Sequence, residues 1–366
     1  MRHAAVVSPD PANRAGGVER VCAQLGETLQ RQGWGVEIVG PTQTPGRWRS
    51  RLGLAYATLS RSATARTRAH RDLDLVLSNG FLGTGCPRRT PRIHLYHGTM
   101  VGNTRAQRGS VPVRERLRRT LAAGLTEALA GRGAARVVCV SERVAAEVRR
   151  YYGVRADAVI PNGVDTDTFA PRPTSAARAR LGLPENGRYA LFVGRLEHGK
   201  GSDLLVEGAA RGGYELLIAG PTEAGRRSPS ASAPGMRHLG VLAPDVLADA
   251  YAASDCVLFP SRYEGCSLVV LEALACGRPL LSTRVGWMST LLRAVPAYQE
   301  LCIEPTAEQI AARLQTLQLT DSAALCAAAR SFVLDNNSLS HWAARWGALV
   351  REVLGSSDPR PLPMPR

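Results

Sequence analysis

With 366 residues, 45% apolar and 21% charged, the chain has material for two domains with sizeable cores. It lacks any run of about eighteen uncharged apolar residues that would cross a membrane. The net charge of +15 is uneven: residues 1–170 hold 26 basic and 13 acidic residues, the remainder 20 and 18. Eight scattered cysteines without a Cys-x-x-Cys pair exclude a disulfide scaffold or a zinc knuckle and read as reduced thiols of a cytoplasmic protein.

The N-terminus reads as a short strand, Ala4 to Val7, and not as a signal peptide. A helix is predicted from Gly17, with Val18, Val21, Cys22, Leu25 and Leu29 on one stripe and Gly33 stopping it. Further short apolar runs follow at Val36 to Val39, Leu75 to Leu77, Ile93 to Tyr96, Val137 to Val140 and Ala158 to Ile160. Such runs, separated by longer amphipathic stretches, predict parallel strands with crossover helices. The segments 42–71 and 99–120 are Arg-rich. A basic face of this kind suits an anionic small molecule, an anionic membrane or a nucleic acid.

After Pro161-Asn162-Gly163-Val164-Asp165, a stretch containing Pro171, Pro173 and Pro184 reads as a linker. The alternation then resumes with strands at Tyr189 to Val193, Glu215 to Ala219, Cys256 to Phe259 and Leu280 to Ser282. Arg226 to Pro234 reads as a loop, and Ser356 to Arg366 as a disordered tail. The expected fold class is α/β, with two Rossmann-like doubly wound domains facing a cleft. Residues 1–168 would form the first domain, joined by a C-terminal helix near 341–355, and residues 169–340 the second.

Four places could carry chemistry. Gly16-Gly17 follows the first strand and opens the first helix, where the backbone can approach an anion. It is not a Gly-x-Gly-x-x-Gly fingerprint, so a dinucleotide is disfavoured. Arg195 and Lys200 lie five residues apart in a loop leaving a strand. Lys200 is the single lysine of the chain, beside 45 arginines, and no Walker pattern surrounds it. In the segment from Pro260 to Ala273, Ser267 is predicted to cap a helix that Gly277 and Pro279 close. The amides of Cys266, Ser267, Leu268 and Val269 would then face a phosphate, while Glu264 in the loop and Glu272 on the second turn would grip hydroxyls. His97 follows the strand ending at Tyr96 and would hydrogen-bond a ligand, and His94, within the strand, is the weaker candidate.

Taken together and in order, these segments resemble the family-4 retaining glycosyltransferases of the GT-B fold, also described as glycosyl transferases group 1. The resemblance rests on Gly16-Gly17-Val18-Glu19-Arg20, Val140-Ser141-Glu142, Ile160 to Asp165, Val193 to Gly201, and two glutamates separated by seven residues, Glu264 and Glu272. It spans residues 1 to 350. It implies that Arg195 and Lys200 hold a donor diphosphate, that Glu264 contacts sugar hydroxyls and Glu272 ribose hydroxyls, that Leu268 and Val269 offer amides, and that His97 lies near the transferred sugar. Gly17 would let donor and acceptor approach. Trp287-Met288-Ser289-Thr290 departs from the small-then-acidic pattern usual after Val285-Gly286, so no role is assigned there.

The implied reaction moves a sugar from a nucleoside-diphosphate sugar, UDP ahead of GDP, to a hydroxyl on a lipid, glycan or secondary metabolite. Cations and amides would stabilise the leaving diphosphate, with no metal and no cofactor beyond the donor. Asp165-Thr166-Asp167 and Asp72-Leu73-Asp74 imitate the metal-binding Asp-x-Asp of another transferase fold, but both read as structural. The competing readings are a nucleotide-sugar epimerase, a phosphorylase with pyridoxal phosphate on Lys200, and a basic module for nucleic acid or anionic membrane. Nucleic acid is not expected, whereas peripheral contact with the inner membrane face through the basic half is.

Overall fold

The computed structural model describes residues 1–12, 16–41, 55–69, 72–221, 235–317 and 319–355. The loop Arg226 to Pro234, the tail Ser356 to Arg366 and half of the Arg-rich segment 42–71 lie outside them. The chain divides into two units, Met1–Asn162 with Trp342–Arg366, and Gly163–His341. The division falls just after Asn162, before Val164, which bridges to Ser338.

In the first unit the described strands are β1 (His3–Val7), β2 (Gly35–Val39), β3 (Leu75–Asn79), β4 (Arg92–Tyr96), β5 (Arg136–Cys139) and β6 (Ala158–Val159). They form one parallel sheet in the order β2-β1-β3-β4-β5-β6. Every residue of β3 and of β4 is buried, as befits strands with helices on both faces. The order reverses between β1 and β3, which are direct neighbours. Helix Gly17–Arg31 crosses from β1 to β2, buries Val21, Cys22, Leu25 and Leu29, and gives way to Gly33 at φ 83°. At the other end of the chain, helix Leu339–Val353 buries Trp342, Trp346, Leu349 and Val350. Glu352 pairs with Arg136 of β5 at 2.8 Å, which ties the helix to the first unit's sheet.

The second unit holds β7 (Tyr189–Val193), β8 (Glu215–Ala219), β9 (Met236–Gly240), β10 (Cys256–Phe259) and β11 (Leu280–Ser282), all parallel, in the order β11-β10-β7-β8-β9. Here the order reverses between β7 and β10. The apolar runs did not reveal β9: it is an edge strand whose Arg237, His238, Leu239 and Gly240 are only half-buried. Its Arg237 pairs with Glu215 on β8 at 3.2 Å. Among the described residues no helix is long and apolar enough to cross a membrane.

Candidate functional site

In an open parallel sheet, the loops leaving two adjacent strands at the point of reversal diverge and leave a crevice at their carboxyl ends. In the second unit those strands are β7 and β10, paired through Ala190 with Cys256 and Leu191 with Val257. The loop after β7 carries Arg195 and the short 3-10 turn His198–Lys200. The loop after β10 carries Glu264. The two meet directly, because the Lys200 ammonium donates to Glu264 Oε1. Both side chains are partly sheltered, with 30% and 14% of their surface exposed.

Three further contacts fix these loops. Gly201 has φ 73°, and a Cβ there would sit 2.4 Å from the Pro260 carbonyl oxygen, so only glycine fits. The Arg262 amide donates to Gly199 O at 2.9 Å, and its guanidinium forks onto both Asp203 oxygens at 2.7 and 2.9 Å. A third loop, after β11, brings Gly286 at φ 54° so close that an added Cβ would lie 2.3 Å from Gly265 O.

Helix Leu268–Ala275 begins where the sequence places it, with Ser267 at the N-cap in extended conformation. The Ser267 side chain makes no capping bond, contrary to the expected cap. The amides of the first turn therefore have no side-chain acceptor from that residue, and their partial positive charge points out of the helix end. Leu268 is buried, and so is Cys266. Glu272 is buried too, at 1% exposure, with the Tyr251 hydroxyl donating to Oε2 at 2.9 Å. Arg195 is not part of the Lys200–Glu264 contact. It pairs with Glu197 of its own loop at 2.8 Å, and both side chains are largely exposed.

The remaining predicted residues belong to the first unit. Gly16 is the extended N-cap of helix Gly17–Arg31, and a Cβ there would lie 1.9 Å from Glu19 Oε2. That helix end thus already has a carboxylate of its own beside it. Gly17 has open space around its Cβ position. His97 follows β4, and its Nε2 lies 2.8 Å from Asn79 Oδ1. Asn79 in turn donates through Nδ2 to Val7 O at 2.7 Å, so its oxygen is the acceptor and His97 carries the Nε2 proton. Burial lowers the His97 pKa to about 4 and keeps the ring neutral near pH 7, with Nδ1 as an acceptor. His94 is wholly buried against Ser78 at 2.8 Å and Arg92 at 3.2 Å, a structural role.

Sequence reasoning missed Asn79, Arg262 and Gly286. The signal for Asn79 was a polar residue ending an otherwise apolar strand on the carboxyl side. It also missed Glu127, buried in helix Gly124–Arg132, whose carboxylate accepts from Met100 N at 2.9 Å and from the Tyr152 hydroxyl. Burial raises its pKa to about 7, against the lowering effect of those two bonds.

Asp165 accepts from the Asp167 and Thr168 amides at 3.1 and 3.2 Å and from the Thr168 hydroxyl at 2.7 Å, and Asp74 accepts from the His3 amide at 2.7 Å, so one carboxylate of each acidic pair ties the backbone. All eight cysteines are free thiols. Among the described residues no group of three His, Cys, Asp or Glu is arranged to hold a metal ion.

The glycosyltransferase family 4 model matches residues 15–168, and the glycosyl transferases group 1 model matches residues 187–319. A D-inositol 3-phosphate glycosyltransferase of Gordonia bronchialis is 37% identical over 176 residues, 42% of this chain and 38% of that protein. Its namesake in Acidothermus cellulolyticus is 34% identical over 238 residues, 55% and 53% of the two chains. The chain thus matches only about half, or less, of the length of these curated relatives. Sucrose-phosphate synthase from Thermosynechococcus elongatus superposes with a TM-score of 0.80 at 24% identity, over 98% of this chain and 100% of that one. Anabaena HepE in complex with UDP-glucose does so with 0.71 at 17% identity, over 96% and 100%. With both family models in sequence order over two parallel α/β units, the chain belongs to glycosyltransferase family 4, the glycosyl transferases group 1, and has the GT-B fold.

Proposed function

We propose that the protein transfers a sugar from a nucleoside-diphosphate sugar to an acceptor hydroxyl with retention of configuration. The observation that carries this reading is the Lys200–Glu264 contact at the reversal between β7 and β10, next to the start of helix Leu268–Ala275. A cation, a hydroxyl acceptor and the positive end of a helix at one crevice suit a ligand that is a diphosphate at one end and a polyol at the other. Lys200 has three donors and can keep Glu264 while reaching a phosphate oxygen. Arg195 would leave the solvent-exposed Glu197 for the second phosphate, since a surface ion pair is worth only about 0–1 kcal/mol. Glu264 would accept from sugar hydroxyls and Glu272 from the ribose.

In the reaction the bond from the anomeric carbon to the diphosphate oxygen breaks as the bond to the acceptor oxygen forms on the same face. The acceptor proton passes to the departing phosphate. Lys200, Arg195 and the amides of Cys266 to Val269 stabilise the charge that develops there, without a metal ion. Neutral His97, held by Asn79, would take a hydrogen bond from a sugar hydroxyl on Nδ1. UDP-glucose in the HepE complex favours a UDP-sugar as donor. The name of the curated relatives, together with the basic first unit, favours an acceptor that is a polyol phosphate or another anionic alcohol.

The test is release of nucleoside diphosphate from UDP-, GDP- and ADP-sugars, with inositol 3-phosphate among the acceptors and EDTA in a parallel series. Acceptor-dependent release that survives EDTA is the expected result. Conversion of the donor without any acceptor would instead identify an epimerase.

A further inference from the structure

Residues 113–132 form one uninterrupted helical stretch, α-helical at Val113–Arg118 and Gly124–Arg132, with a π turn at Arg119–Ala123 between them. Its apolar residues are placed the wrong way round for a helix that only supports a core. The buried side is made of Ala123, Gly124, Thr126, Ala128, Ala130 and Gly131. The large residues Val113, Leu117, Leu121, Leu125 and Leu129 point to solvent, each 51% to 68% exposed.

These five residues recur every fourth position. In an unbroken α-helix four residues overshoot a full turn by about 40°, so five of them would spread over roughly 160°. A π turn takes up one extra residue and sets the helix back. The exposed residues consequently remain on one side, along a stripe about 24 Å long. A continuous apolar face of this kind on a soluble domain marks a contact surface.

Charge identifies the partner. Residues 99–132 hold seven arginines and two glutamates. One of these, Glu127, is buried, and the other, Glu115, is neutralised by Arg118 and Arg119 at 2.7 Å each. Arg105, Arg108, Arg114 and Arg132 are exposed. Beside the start of the stripe lies a cavity of about 430 Å³ lined by Thr104, Arg105, Arg108, Arg116, Leu117 and Thr120, together with Val113. A second copy of this surface would bring arginine against arginine, and a nucleic acid would leave the leucines in water. An anionic bilayer satisfies both, because acyl chains cover the stripe while phosphates meet the guanidinium groups.

We infer that helix 113–132 is an interfacial anchor that lays Val113, Leu117, Leu121, Leu125 and Leu129 into an anionic lipid surface, with the Arg105–Arg108–Arg116 cavity receiving a lipid phosphate. This docking is independent of the sugar-transfer reading, because it asks only for binding.

The full chain is mixed with vesicles of phosphatidylcholine alone and of phosphatidylcholine with about 30% phosphatidylglycerol, and bound protein is separated by flotation. The protein is expected to float with the anionic vesicles, not the neutral ones, and to be released near 0.5 M salt. Leu121→Ser with Leu125→Ser should reduce the bound fraction on the order of tenfold or more. Arg108→Gln with Arg114→Gln should reduce it on the order of tenfold. All four side chains are exposed, so unchanged thermal midpoints serve as the check on folding. Three results would overturn the anchor: absence of flotation, flotation unaffected by the leucine pair, or a sedimenting dimer that the leucine pair dissolves.

Discussion

The lysine that occurs once in the sequence makes its contact 64 positions away, on Glu264. Removing it leaves the Glu264 carboxylate without its cation and, on the proposed function, the donor diphosphate without a point charge. Lys200→Ala is therefore expected to lower nucleotide release on the order of 10²–10³-fold, with the thermal midpoint near that of the parent protein. Turnover at the parental rate would remove Lys200 from the reaction. A second residue-scale prediction concerns Glu127, whose pKa rises from 4.5 to about 7 on folding. Its contribution to stability is full below pH 4.5 and is lost as pH rises through 7, because the unfolded chain gives up the proton more readily. His97, lowered to about 4, acts in the opposite direction between pH 4 and 6.5. The difference in unfolding free energy between Glu127→Gln and the parent isolates the first effect. It should grow with pH from 4.5 to 7 at a slope approaching about 1.4 kcal/mol per unit, measured by denaturant unfolding in a pH series. A flat difference would contradict the raised pKa.

At the scale of elements, three loops and one helix end make the crevice of the second unit, and glycines set their spacing. Gly286→Ala would force φ 54° on a residue with a side chain and press its Cβ against Gly265 O. A loss of roughly 1–3 kcal/mol is expected, with weaker donor binding because the displaced loop is the one that carries Glu264. Gly17→Ala, in open space, is the control that should leave stability almost unchanged. Much of this layout was legible in the sequence. Leu75 to Leu77 and Cys256 to Phe259 lie in the middle of parallel sheets, so burial on both faces makes them read as unbroken apolar runs. β9 did not read that way, because an edge strand carrying Arg237 and His238 has one side in water. The meeting of Lys200 with Glu264, and of His97 with Asn79, depends on which strands become neighbours, which no local pattern states. The leucine stripe was hidden for a different reason. Ala and Gly on one face and Leu on the other are equally apolar to a periodicity argument, and only packing reveals which face turns inward.

At the scale of the molecule, the first unit is discontinuous in sequence, since it is completed by the segment from Trp342 onward. Trp342 and Trp346 are almost fully buried, at 1% and 2% exposure. A chain ending at residue 338 would lose both, and truncating one buried tryptophan already costs about 3–5 kcal/mol. Hydrogen exchange on such a chain should show the amides of β3 and β4 losing protection while those of β7 and β10 keep theirs. Equal loss in both units would mean that they do not fold as separate bodies. Glu352 against Arg136 is a surface pair and contributes little beside this burial.

The same late helix bears on the order of events during synthesis. A ribosome adds roughly 5–20 residues per second, so some ten to forty seconds separate the emergence of Asn162 from that of Val353. Throughout that interval the first sheet is present without its closing tryptophans, while the second unit can finish folding first. The part of the chain translated earliest is thus the part that reaches its native state last. During the wait it lacks the two buried tryptophans while Leu117, Leu121, Leu125 and Leu129 stay outward, so chaperone dependence should concentrate on the N-terminal portion of nascent chains.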